Sequence, residues 1–228
     1  MCFSAQASFI ASGFLLFIAI LSIKINKKEN LKVLSLMPLL FSIQQFFEGI
    51  LWLTLESNIF PLIQTASKII FLIFAILIWP MYVTYSIKKF ETKDFRESIL
   101  KLLYKLSIVW TIIATIYMVI FQAEAEICTG HISYGIQIGG LLAGIATISY
   151  LVFTILPFFI SSNKKLWVFG ILIAITAAIA YTFYNSYFTS VWCYFAAIAS
   201  STMLIIIKIE NNKNNINSKN QKQNHLKK

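Results

Sequence analysis

The stretch FSIQQFFEGILWL, residues 41 to 53, sets two amides and a carboxylate, Gln44, Gln45 and Glu48, among Phe, Ile, Leu and Trp. Residues three or four apart are neighbours on a helix surface, so Gln44, Gln45, Glu48 and Trp52 share one helical face. A carboxylate in apolar surroundings either takes up a proton or finds a cation or hydrogen-bond donors. The two amides are local donors. A lone Gln would suit a contact that only locks helices together; two amides and an acid on one face suit a site for a proton, an ion or a small polar substrate.

The elements that must hold this face are set by composition. Hydrophobic residues are 58% of the 228-residue chain, charged residues 12%, and the mean hydropathy is +0.76, which is too apolar for a domain with a wet surface. Apolar runs recur at the span of about 20 residues that a bilayer helix needs. The expectation is an all-α integral membrane bundle of seven helices, near 5–23, 33–55, 62–87, 103–122, 139–160, 166–184 and 189–208. The breaks between them, such as KINKKEN, KKFETKDFRES and QAEAEICTGHISYGIQ, are polar, charged or turn-forming.

Orientation follows from the cations, because Lys and Arg in short loops stay on the cytoplasmic side. Lys24, Lys27, Lys28 and Lys32 flank the first loop, Lys88, Lys89, Lys93, Arg96, Lys101 and Lys105 the third, and Lys164 and Lys165 the fifth, with further lysines from Lys208 onward. The alternate loops carry Glu56, Glu124 and Glu126, with Lys68 the one cation near them. The N-terminus is therefore expected outside and the C-terminus in the cytoplasm, as for a protein of a bacterial inner membrane. Residues 1–209 form the transmembrane domain, and 210–228 read as a disordered basic cytoplasmic tail with too few apolar residues to fold.

The formal charge of +10 comes almost wholly from Lys placed between apolar runs, with Arg96 the single arginine, so nucleic-acid binding is excluded and the lipid bilayer is the expected partner. The opening MCFSAQASF lacks the basic region and cleavage site of a signal peptide, so the first helix is expected to be retained.

On that topology Glu48 lies about 10 Å below the outer end of helix two, at a rise of 1.5 Å per residue. Antiparallel pairing through the short break ESNIFP sets it opposite residue 69, so an ion pair of Glu48 with Lys68 competes with Lys68 reaching for the outer surface. Cys2 and Ser4 precede helix one, Cys128 and His131 lie in the long outer loop, and Trp192 and Cys193 begin helix seven. All fall at the outer end with Glu48, which predicts one outward-facing pocket.

The three cysteines admit plain thiols, a disulfide (Cys2 to Cys193 or Cys128 to Cys193), or thiol chemistry with His131 as base. No CxxC or HxxxH spacing supports a metal centre, and no cofactor is assigned. Trp79, Pro80, Tyr82 and Tyr85 lie in the inner half of helix three, where an interfacial aromatic belt is the simplest reading.

The segments MCFSAQASF, PLLFSIQQFFEGILWL, the WP pair, HISY, LPFFISS and SVWCYFAAIAS resemble an uncharacterised bacterial membrane-protein family, a domain of unknown function, over the chain up to about Ile209. The resemblance implies a polytopic helical protein and no known activity. It marks Cys2, Phe3, Ser4, Gln44, Gln45, Glu48, Gly49, Trp52, Trp79, Pro80, Trp192 and Cys193 as motif residues. The functional expectation is binding or transport of a small polar ligand, a cation or a proton around Glu48, with Gln44, Gln45, Trp52, Ser4, His131 and Trp192 as further ligand-binding residues. An intramembrane Cys/His enzyme and a non-catalytic scaffold are the alternatives.

Overall fold

Polar breaks cut the apolar chain into helices, and where each helix stops decides which side chains meet. The computed structural model describes residues 4–57, 59–135 and 139–212, and within them seven helices are long and apolar enough to cross a membrane. They are α1 (Ala5–Ile25), α2 (Glu29–Ser57), α3 (Pro61–Phe90), α4 (Asp94–Ile120), α5 (Gly140–Ile160), α6 (Lys164–Phe183) and α7 (Asn185–Asn212). Most ends fall within about four residues of expectation. The start of α4 does not: it begins at Asp94, because cations end an apolar span without ending a helix, and Asp94 and Glu97 in the first turn suit the positive end of its dipole. Helix α7 also runs past Ile209 to Asn212, into the segment expected to be tail; residues 213–228 lie outside the described residues.

The helices alternate in direction, giving the bundle a hairpin end and a basic end. Helix α7 packs on α6, α1 and α2, while α3 joins α2 to α4 and α5. Helices α2 and α7 are central, with 56% and 61% of their most apolar stretches buried against 6% for α4. Close approach of α1 and α2 is set by small residues: Ser12 and Ser42 each donate their hydroxyl to the other's carbonyl at 2.8 Å. About two turns further along α2, a Cβ at Gly49 would stand 2.8 Å from the Phe9 ring, so a larger residue there would push that ring aside.

Two prolines disturb the helix backbone, and a tyrosine hydroxyl bonds a backbone carbonyl near each. The segment Ile73–Ile78 of α3 is a π-helix ahead of Pro80. In that i to i+5 register the carbonyl of Ala75 would need the amide of residue 80, which proline lacks. The Tyr150 hydroxyl from α5 donates to it instead, at 2.5 Å. In α2 a turn at Leu36 precedes Pro38, and the Tyr82 hydroxyl donates to the carbonyl of Val33 there.

The long loop at the hairpin end contains two antiparallel strands, β1 (Glu124–Cys128) and β2 (His131–Gly135), where the sequence reading placed only a polar break. The two connecting residues, Thr129 and Gly130, have φ of 49° and 79°, as a type I′ turn requires. Strand β2 packs on α7 and β1 touches α2, so the hairpin covers this end of the bundle.

At the basic end, loops are tied to one another by buried polar groups. The Glu91 carboxylate accepts from the Ser162 amide (2.6 Å) and hydroxyl (2.7 Å) and from the amides of Thr92 (3.0 Å) and Lys93 (3.1 Å). Arg96 donates to the carbonyls of Ile160 and Ser161 at the end of α5, and Glu210 accepts from Lys165 at 2.5 Å and Asn163 at 3.0 Å. Burial alone would raise the Glu91 carboxyl, but the bonds from Ser162, Lys93 and Thr92 outweigh it and hold the group below its usual range. A lowered folded-state pKa stabilises above the unfolded value and is lost as pH falls through the folded one. Glu91→Gln is therefore expected to lose about 1–3 kcal/mol at neutral pH, with the gap to wild type closing below about pH 4.5, the unperturbed carboxyl value. Thermal unfolding of both proteins in detergent across that range checks it; a gap that does not change with pH would contradict it.

Candidate functional site

Near the middle of α2 the alternation of lipid-compatible and polar residues turns Gln44, Gln45 and Glu48 inward, toward α3 and α7. All three are sealed, with exposures of 0%, 0% and 1%. The Gln44 Oε1 accepts from the Trp79 indole Nε1–H of α3 at 2.8 Å. The Gln45 Nε2 donates to Glu48 Oε2 at 3.0 Å, and the Ser190 hydroxyl of α7 donates to Glu48 Oε1 at 2.5 Å. One turn of α2 thus bonds to two of the helices that pack beside it, α3 and α7.

Glu48 has only neutral donors. Among the described residues no Lys, Arg or His side chain lies within ion-pair distance of its carboxylate. The expected pair with Lys68 is not formed: α3 buries Ser67 and Phe71 on its inner face, and Lys68, one residue round from that face, is partly exposed. Helical geometry sets successive residues about 100° apart, so matching depth did not bring matching direction.

Tyr134 of β2 lies near Glu48. Its ring stacks on Phe71 with centroids 4.9 Å apart and planes 7° apart, and its hydroxyl is buried with no hydrogen-bond partner among the described residues. Burial pushes this phenol well above its ordinary value, and the nearby Glu48 and Cys193 add to the rise. The Gln45 Oε1 atom is likewise buried and unpaired among the described residues, a place where desolvation costs about 1–3 kcal/mol without return, while the Gln44 amide lies against the Cys193 thiol.

The other expected residues divide. Trp52 is buried in the apolar core one turn from Glu48. Cys193 is buried in the cluster of Phe71, Leu72 and Ala75 that Tyr134 packs against. Trp192 stacks on Phe188 and meets Tyr150 edge-on, its Nε1–H unpaired. Ser4 is instead the N-cap of α1, its hydroxyl oxygen accepting from the Ala7 amide at 3.2 Å. His131 sits on the hairpin against Tyr184 and Tyr187 at the α6–α7 connection, away from the carboxylate's bonds. Cys2 and Phe3 lie outside the described residues.

Thiol chemistry finds little support in this geometry. Cys128 and Cys193 are both free, so they do not form a disulfide with each other. Cys128 faces His131 across the hairpin, but burial raises the Cys128 thiol, with Glu126 adding to it, while burial lowers the His131 imidazole. Both shifts oppose a thiolate–imidazolium pair. Among the described residues no three His, Cys, Asp or Glu side chains gather as metal ligands.

A cavity of about 40 Å³ is walled by Phe41, Trp79, Val83, Tyr150, Trp192 and Cys193, and the polar residues of α2 are not on its wall. Gln44, Gln45, Glu48, Trp79 and Ser190 form a buried polar contact among α2, α3 and α7. Trp79, read as part of an aromatic belt, is 4% exposed and belongs to this contact. Ser190 and Tyr134, which lie in the motifs SVWC and HISY, belong to this cluster as well. Ser190 lies three residues before Cys193, on the same helical face, and that spacing was the available signal.

If the Trp79 to Gln44 bond couples α3 to α2, Trp79→Phe and Gln44→Leu should each destabilise, by about 1–3 kcal/mol, and the double variant by less than their sum. A coupling above about 0.5 kcal/mol in denaturant unfolding is expected; strict additivity would show that the bond is not made.

No curated protein matches the chain, and neither does any solved structure. A family of unknown function, DUF6629, matches residues 1–219, a span that includes α2, Trp79, the hairpin and Ser190. The chain belongs to that family of unknown function.

Proposed function

We propose that this is an integral membrane protein of a bacterial inner membrane, with its hairpin end outside, that binds and releases a proton or a small bare cation at Glu48. The observation that carries the reading is a carboxylate 1% exposed, held by one amide and one hydroxyl, with no cationic side chain beside it among the described residues. A charge so placed must be neutralised from outside the protein, by a proton or a bound cation. The closed geometry favours these over the larger polar ligands that an open pocket would admit. Lys27, Lys88, Lys89, Lys164 and Lys165 at the other end support the orientation.

Exchange with the outer solution involves movement of the hairpin, whose Tyr134 lies near the carboxylate. This makes the protein a candidate transporter or sensor whose closed state is the one described. The enzyme reading is disfavoured by the shifts at Cys128 and His131. In proteoliposomes with an internal pH indicator and an imposed potential, wild type is expected to move protons, or to respond to Na⁺ or K⁺. Glu48→Gln, folded by its melting curve, is expected to do neither. Equal flux from the two would remove the proposal. A Glu48→Leu protein as stable as wild type with unchanged flux would instead make the cluster a helix lock, since replacing a buried charged group by an apolar one is often neutral or stabilising.

A further inference from the structure

We propose that the groove between the α1–α2 loop and the first turns of α2 binds the phosphate of an anionic lipid headgroup. The groove has a volume of about 290 Å³ and is lined by Asn26, Lys27, Lys28 and Lys32, with Ile23 and Leu36 as its apolar part. Three lysines stand there against one acid, Glu29. Lys28 reaches Glu210 at 3.9 Å. Lys32 meets Glu29 at 3.4 Å, with side-chain exposures of 66% and 88%, and exposed pairs of this kind are worth so little that a phosphate readily displaces the carboxylate. Lys27 is exposed and makes no ion pair among the described residues.

The loop that presents these lysines is fixed before any ligand arrives. The Asn26 Oδ1 accepts from the Lys28 amide at 3.0 Å, and Asn211 of α7 accepts from the Lys27 amide at 3.4 Å while donating to the Ile25 carbonyl at 2.8 Å. A preorganised loop loses less entropy on binding than a free one. The apolar part selects a lipid over a free phosphate. Leu16, Ile20 and Ile23 are 45%, 44% and 42% exposed and follow one another along one face of α1 into the groove. That stripe is a track for an acyl chain whose headgroup sits among the lysines, and basic sites at the cytoplasmic interface are where anionic headgroups are held.

The test uses the purified full chain in detergent, titrated with phosphatidylglycerol, phosphatidylcholine or soluble glycerol phosphate, with retained lipid read by native mass spectrometry and stability by thermal melting. Wild type is expected to retain phosphatidylglycerol and melt higher with it, and to show neither effect with the other two. Lys27→Ala with Lys32→Ala should weaken retention on the order of ten- to thirty-fold. The arginine double variant at the same positions should retain the lipid. Lys101→Ala with Lys105→Ala, which removes the same charge from the exposed surface of α4, should behave as wild type. Equal losses in both alanine double variants would reduce the effect to general surface charge. An equal response to glycerol phosphate would make the groove a free-anion site. Equal retention of phosphatidylcholine would remove headgroup recognition. Each of these overturns the proposal.

Discussion

A buried carboxylate with only neutral donors is the constraint to which the rest of the hairpin-end half is fitted. Two hydrogen bonds to Glu48, from Gln45 within its own helix and from Ser190 on α7, partly offset the cost of desolvating the group. The remaining charge has no partner in the described protein. Such an arrangement persists when it does something that a packed apolar contact would not, and a mobile positive charge is the simplest thing that it can accept. The same turn of α2 also ties α2 to α3 through Gln44 and Trp79, so a change in the charge of Glu48 would be felt by both neighbouring helices.

The backbone defects are part of this positioning. Trp79 directly follows the π-helical turns Ile73–Ile78 and precedes Pro80, and that widened turn changes the rotation of the residues after it relative to a regular helix. Tyr150 supplies the bond that Pro80 cannot, which makes α5 a support for the position of Trp79. At the other end, the carboxylates of Glu91 and Glu210 hold loops and the end of α7 together. The two ends are built differently: one is a network of many charged and backbone groups, the other holds a single buried carboxylate.

Periodicity and the apolar span fix the helices well, because a bilayer-length run has few alternatives and the breaks KINKKEN and KKFETKDFRES are unambiguous. The face shared by Gln44, Gln45 and Glu48 was equally plain, since it depends on spacing within one helix. Partners across helices were not. Ser190 and Lys68 both stood at suitable depth, and only the rotation of α7 and α3 chose the serine. The hairpin was hidden for another reason: strands of five residues beside long apolar helices carry a weak signal, although EAEIC and HISYG around Thr129 and Gly130 alternate as strands do.

The central claim is that Glu48 changes its charge state while the fold stays intact. Infrared difference spectroscopy of the reconstituted protein between acid and neutral pH, with and without Na⁺ or K⁺, measures this directly through the carboxyl C=O stretch. The account predicts a protonated-carboxyl band that grows on acidification or is displaced by the cation, and that Glu48→Gln lacks. A Glu48 band unchanged by pH and by either cation would mean a carboxyl locked in one state, and would contradict the account.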